Sequence, residues 1–194
     1  MESGADILDV NVGLPEIDEE ETMKKVIKEI QSIIDTPLQI DSNNPKVIEK
    51  ALRVYNGKPI VNSVNGEDKV LDNLLPLIKK YGAAVVGLTL DDKGIPKKAE
   101  ERLKIAEKIV NKALEYGIRR EDIFIDCLVL TASAQQEGIM ETLKAVTLVK
   151  EKLNVKTILG ISNISFGLPN RELINKTFFS YESSIRIRFA NIES

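Results

Sequence analysis

At 194 residues, 43% of them hydrophobic and 29% charged, the chain has the composition of a globular protein with room for a substantial core, and nothing in it suggests disorder. Its 27 basic and 30 acidic side chains leave a net charge of -3 without a basic stripe, which argues against a nucleic-acid groove. With no histidine and one cysteine, imidazole nucleophiles, HExxH metal helices, paired-thiol zinc sites and disulfide frameworks are excluded.

One unit recurs along the chain: a short run rich in Val, Ile and Leu, a polar stop, then a stretch of helical periodicity. The first run, ADILDVNV (5–12), precedes apolar positions at Met23, Val26, Ile27, Ile30, Ile33 and Ile34, which follow a 3.6-residue period. PLQIDS (37–42) leads to Val47, Ile48, Ala51, Leu52 and Tyr55, and PIVNSVN (59–65) to a stretch where Pro76 predicts a kink or an early stop. AAVVGLTLD (83–91) precedes Leu103, Ile105, Ala106, Ile109, Val110, Ala113 and Leu114, and the runs DIFIDCLVL (122–130) and KTILGIS (156–162) complete the series. Strict alternation of strand and helix implies an α/β protein with a parallel sheet covered by helices. No GxGxxG or GxxxxGK[ST] fingerprint is present, so a (β/α)8 TIM-barrel type is favoured over an open doubly wound sheet. The barrel is incomplete, with six strand-helix units of eight.

In either architecture a ligand meets the carboxyl ends of the strands. Those ends carry Asp9 and Asn11, Asp41 to Asn43, Asn62 and Asn65, Asp91, Asp126, and Asn163 with Ser165. Helix capping accounts for some of them. Asn44 before Pro45 is the natural cap of its helix, which leaves Asp41 without that task. Ser63 or Asn65 can cap the stretch after Gly66, which frees Asn62, and a helix start near Asn170 frees Asn163. Asp126 lies inside an apolar run, where a carboxylate without a partner is costly. Two carboxylates and two carboxamides suit a flat heterocycle, because a carboxylate accepts two parallel N–H bonds and a carboxamide can both donate and accept.

The stretches GADILDVNVG (4–13), PLQIDSNNP (37–45), PIVNSVNGE (59–67), VVGLTLDDKGIP (85–96), IFIDCLVL (123–130), SAQQ (133–136) and ILGISNISFGLPNRELIN (158–175) carry a resemblance. Together they resemble the methyltetrahydrofolate-binding barrel of cobalamin-dependent methionine synthase and the related methyltetrahydrofolate:corrinoid methyltransferases. The resemblance implies a pterin-binding domain that transfers the N5-methyl group of 5-methyltetrahydrofolate to cob(I)alamin. It implies that Asp41 and Asp126 hold the amino-pyrimidinone edge of the pterin, that Asn62 and Asn163 bond the reduced ring with Asn163 near N5, and that Asn11 and Arg171 lie in matching stretches. For Arg171, a solvated side chain in a first helical turn is an equal reading. Cys127 reads as a small buried apolar residue rather than a nucleophile.

The expected partners are a small-molecule pterin and a corrinoid protein or domain that supplies cobalamin, with no nucleic acid, no membrane and no metal held by this chain; a homodimer is left open. The expected location is the cytoplasm. The alternatives are a non-catalytic folate-binding fragment and another pterin-binding barrel, such as a dihydropteroate synthase relative, although no Lys or Ser-Arg constellation for a diphosphate is evident. Residues 1–178 are expected to form the partial barrel. Residues 179–194, with their alternating IRIRF, depart from the family pattern and are expected to form an atypical tail.

Overall fold

Each apolar run forms a strand and each periodic stretch a helix. In the computed structural model, which describes residues 4–130 and 136–190, the strands are β1 (Leu8–Asn11), β2 (Leu38–Asp41), β3 (Ile60–Val64), β4 (Ala84–Leu88), β5 (Ile123–Asp126) and β6 (Lys156–Ile158). They alternate with α1 (Glu19–Ile33), α2 (Pro45–Val54), α3 (Asp68–Tyr81), α4 (Ala99–Glu115), α5 (Gln136–Leu153) and α6 (Arg171–Ala190). Of the SAQQ stretch, residues 133–135 lie outside the described residues, as do 191–194 of the tail.

The six strands pair in sequence order, β1 to β6, and every pair is parallel. Right-handed crossovers that always step in one direction place all the helices on one face of the sheet, whereas a doubly wound sheet reverses its order and carries helices on both. The winding is therefore that of a (β/α)8 barrel, present as six units in an open sheet. Register then assigns the two faces. Val10, Leu38, Ile40, Val61, Val85, Ile123 and Ile125 point toward the helices and form one core with Met23, Ile27, Ile48, Leu75 and Ile109. Among the described residues, no helix is long and apolar enough to cross a membrane.

Local chemistry sets the helix ends. Asn44 caps α2, its side chain accepting from the Lys46 amide at 3.0 Å, with Pro45 in the first turn. Asp18 caps α1 in the same way through the Glu21 amide at 3.1 Å. Asn65, one of the two candidate caps ahead of α3, accepts from the Glu67 amide at 2.9 Å and so turns the chain into that helix.

Pro76 does not stop α3. It lies on the exposed side, while Leu71, Leu74, Leu75 and Ile78 bury the opposite stripe on both sides of it, and the helix continues to Tyr81. The stop comes at Gly82, whose φ of 68° is the left-handed conformation that glycine adopts at little cost. The backbone of α6 is helical through Ala190, so the IRIRF alternation does not form a strand. That helix docks through Phe178 on Val129, Leu143 and Ile164.

Gly87 faces the helices from β4, and a Cβ there would lie 2.8 Å from Ile109 Cγ2 and 3.1 Å from Ile125 Cδ1. The missing side chain is what lets α4 approach the sheet this closely. Gly87→Ala is expected to lower stability by about 1 to 3 kcal/mol through overpacking, measured as a shift of the urea midpoint at constant m-value.

Candidate functional site

The same alternation that turns apolar residues toward the helices turns the polar strand ends to the opposite face. Asn11 is in register with Asp41, Asp41 with Asn62, and Asn62 with Val86. Asp126 lies one layer nearer the carboxyl end, in register with Leu88 and Ile158. Between these polar groups Ile60, Ala84 and Val86 pack with Leu88, Phe124 and Ile158 into a separate apolar patch. The face thus offers an apolar floor with polar groups at its edges, the usual construction of a site for a flat, partly polar ligand.

Asn11 and Asp41 are joined directly: Asn11 Nδ2 donates to Asp41 Oδ2 at 3.0 Å, while Asn11 Oδ1 accepts from the Gly13 amide at 2.9 Å. One layer deeper, Gln39 Nε2 donates to Asp9 Oδ1 at 2.6 Å. Burial raises the Asp41 carboxyl above its ordinary value; the Asn11 hydrogen bond opposes this, and the charges of Asp9 and Glu19 add to it. The half-buried Asn62 side-chain amide makes no hydrogen bond among the described residues, while the backbone carbonyl of Asn62 accepts from the Ser42 amide at 3.0 Å. The β3–β4 register shifts between Asn62 and Val64, and the Asn62–Ser63 peptide is cis.

Asp126 closes β5. Its Oδ1 accepts from the Leu128 amide at 2.7 Å, and the second oxygen of this half-buried carboxylate has no partner among the described residues. Burial pushes this carboxyl up to about 6, against the Leu128 hydrogen bond and the charge of Arg102. The neighbouring Cys127 is fully buried, and its thiol is pushed up to about 12, which suits a packing residue and not a thiolate.

Behind this turn stands a residue that the sequence reading passed over. Arg102 of α4 is fully buried and donates from Nη1 to the Cys127 and Leu128 carbonyls and to Thr142 Oγ1. Its signal in the sequence is its position on the apolar stripe of Ala99, Leu103 and Ala106, where a solvated arginine has no place.

Asn163 and Arg171 lie beyond the end of β6. Asn163 sits exposed in a 3-10 turn over Ile161–Ser165, its amide against Gly160, where an added Cβ would lie 2.7 Å from Nδ2. Arg171, in the first turn of α6, donates to Ser165 Oγ at 3.1 Å and to Ser162 Oγ at 3.0 Å. It ties down the turn that carries Asn163 and is not simply solvated. No hydrogen bond connects Asn163 or Arg171 to the row on the sheet among the described residues.

The winding and the polar strand ends define a barrel-type α/β protein whose candidate site lies at the carboxyl ends of its strands. The chain belongs to the family described as "Pterin binding enzyme", whose model matches residues 1–183. It is 32% identical over 183 residues to the methylcorrinoid:tetrahydrofolate methyltransferase of Eubacterium limosum, covering 92% of this chain and 67% of that protein. It is 33% identical over 189 residues to the methionine synthase of Mycobacterium leprae, covering 90% of this chain but only 16% of that protein.

Among solved structures, the dihydropteroate synthase of Xanthomonas albilineans in complex with 7,8-dihydropteroate superposes with a TM-score of 0.69 at 17% identity, covering 94% of this chain and 71% of that one. The Thermus thermophilus dihydropteroate synthase gives 0.68 at 19% identity, covering 93% and 75%. At such identities these likenesses show the fold.

The elevated Asp126 carboxyl has a consequence for stability. Its folded value, about 6, exceeds the ordinary 3.8, so the native state keeps a proton that the unfolded chain has lost, and this group's contribution to stability falls as pH rises through that window. Asp126→Asn is therefore expected to raise the thermal midpoint at pH values above about 6 and to give no gain below 3.8. Thermal melts of both proteins across that range measure it.

Proposed function

We propose that the chain binds 5-methyltetrahydrofolate at the carboxyl ends of its strands and transfers the N5-methyl group to cob(I)alamin carried by another domain or protein. One observation carries this reading. The half-buried carboxylate of Asp126 presents an oxygen with no partner among the described residues beside an apolar patch, on the same face as Asp41 and the Asn62 side-chain amide. Membership of the pterin binding enzyme family and the named activities of the relatives support it.

On this reading Asp126 and Asp41 accept hydrogen bonds from the N–H edge of the pterin, and the apolar patch takes the face of the ring. Asn62 and Asn163 bond the reduced ring, with Asn163 nearest N5. The corrinoid supplies the cobalt nucleophile. N5 is a tertiary amine and cannot leave as an anion, so it must be protonated or strongly hydrogen-bonded as the methyl departs. The chain has no histidine, and the proton arrives through water and a hydrogen-bond network. Asn163 accepts from the protonated ring, a charge-assisted bond contributing about 1.5 to 3 kcal/mol. The Eubacterium limosum relative is named for transfer in the opposite direction; the same groups serve both directions, since one transition state is shared.

Mixing the purified chain with 5-methyltetrahydrofolate and following the spectrum of added cob(I)alamin tests the proposal. Methyl transfer to cobalt is expected. Binding without demethylation favours a folate-binding module, and the absence of binding removes the proposal altogether. Asn163→Ala is expected to slow transfer about tenfold to a hundredfold while changing the affinity for the pterin far less; a change in affinity alone would contradict its assigned role.

A further inference from the structure

Arg102 is an unusual residue to find where it stands. It occupies the buried stripe of α4 between Ala99 and Leu103, fully removed from solvent, where a methionine or leucine would fill the space without burying a charge. Among the described residues it forms no ion pair. Its donors go to neutral acceptors: Nε to the Pro96 carbonyl at 2.8 Å, and Nη1 to the carbonyls of Cys127 at 2.8 Å and Leu128 at 3.1 Å and to Thr142 Oγ1 at 2.8 Å. Nη2 is buried with no hydrogen-bond partner among the described residues. Holding α4 against α5 needs none of this chemistry.

What the guanidinium grips is the two-residue turn that follows Asp126. Leu128 adopts a φ of 58°, a left-handed conformation that disfavours a side chain larger than glycine's. That conformation accompanies the bond from the Leu128 amide to Asp126 Oδ1 at 2.7 Å. An extended continuation of β5 would abandon this bond. The carbonyls of Cys127 and Leu128 are held from behind by one planar group, which fixes the peptides on both sides of Leu128.

We propose that Arg102 is a positioning residue for the pterin site: it locks the Asp126–Leu128 turn so that one carboxylate oxygen of Asp126 is occupied by the backbone and the other is kept for the ligand. This rests on the reading of Asp126 as a pterin-holding group. Lysine cannot replace the arginine in this task, because a single ammonium lacks the planar fork that serves several acceptors at fixed angles. The charge matters separately. The titratable and charged groups bearing on the turn are Arg102 from α4, Glu141 and Lys150 from α5, and Asp126 and Cys127 themselves. Of these, Arg102 favours the ionised form of Asp126, so removing its charge moves the Asp126 titration to higher pH.

The test is calorimetric titration of 5-methyltetrahydrofolate into wild type, Arg102→Lys and Arg102→Gln between about pH 5 and pH 8, a range that brackets the Asp126 titration. Ionisation of the ligand is common to all three proteins and cancels in the comparison. Arg102→Gln is expected to bind about tenfold more weakly, as for the loss of one charge-assisted hydrogen bond, and to reach half-maximal binding at a higher pH than wild type. Arg102→Lys is expected to return that midpoint toward wild type while affinity stays low.

Weaker binding in a folded Arg102→Gln protein with the midpoint unmoved would assign Arg102 to the scaffold and overturn the proposal. Should Arg102→Gln fail to fold, Arg102→Lys decides alone: wild-type affinity in a cooperatively melting protein overturns the proposal, and reduced affinity supports it. If wild type itself does not bind 5-methyltetrahydrofolate, the reading of the site falls and this inference falls with it. If wild type binds and the folded variants match it, only this inference falls.

Discussion

The architecture depends on one constraint: a parallel sheet whose strands pair in order can bury only one face under its own crossover helices. With all six strands stepping in one direction, alternate residues of each strand are committed to the helix-side core, the register shift after Asn62 in β3 apart. Residues of the other parity are left for the opposite face. Asn11, Asp41, Asn62 and Asp126 share that parity, and their alignment follows from the register that buries Val10, Ile40, Val61 and Ile125. A slip of one residue in any pair would send a carboxylate or amide into the core, so packing of the helix side and placement of the polar row are one specification. The site needs no separate device to collect its strand-borne residues.

A carboxylate near an apolar patch is nevertheless expensive, and Asp126 shows how the fold manages it. One oxygen is satisfied by a backbone amide, Arg102 supplies a positive field from behind, and the remaining cost appears as a carboxyl raised to about 6. A fold selected for stability alone would replace both charges with apolar residues of similar volume, since buried charges seldom contribute net stability. Their retention together on the two sides of one turn is the kind of local inconsistency that accompanies function. Asp41 resembles Asp126 in its raised carboxyl but differs in its support, which comes from a side-chain amide on the adjacent strand. That partner can move with a ligand more readily than a backbone amide can.

How much of this could be read from the residues depended on the range of the interaction concerned. The strands were legible because Val, Ile and Leu runs with polar stops are a local signal, and the cap at Asn44 was legible because Asn before Pro is a local signal too. Of the two outcomes read from Pro76, the early stop does not occur: its exposed position in α3 depends on which stripe of that helix meets the sheet. Arg102 was half legible: its place on the apolar stripe of α4 is a local signal, but its task is not. Three of its four acceptors lie 25, 26 and 40 residues away, just past β5 and on α5, so only the assembled fold shows what the charge holds there. Arg171 sits between these cases, since its partners Ser162 and Ser165 are close in sequence but reached only after the chain has turned through Gly167 and Pro169.

The absence of histidine gives the site its chemical character. A reaction that needed the protein to supply a nucleophile or a proton donor matched to neutral pH would be poorly served by amides and carboxylates. On the proposed reading the nucleophile is cobalt and the proton comes from solvent, and what remains for the protein is to bind, orient and stabilise a developing positive charge. Neutral carboxamides suit that task, since they accept a hydrogen bond from a protonated amine without holding a countercharge that would stabilise the protonated ground state equally. On that reading the carboxylates stand at the far edge of the ring and the amides near the reacting nitrogen, which separates the two tasks in space. On the same reading Asp126 and Asp41 secure the ligand whether or not it carries a methyl group, and the weaker groups at N5 respond to the change in charge during transfer. The Asp126–Leu128 turn, on the proposed reading, has to be stiff, while the turn at Ile161–Ser165 that carries Asn163 can be lighter. The structure has this asymmetry: Arg102 is fully buried against the first, whereas Arg171 crosses the second from an exposed position.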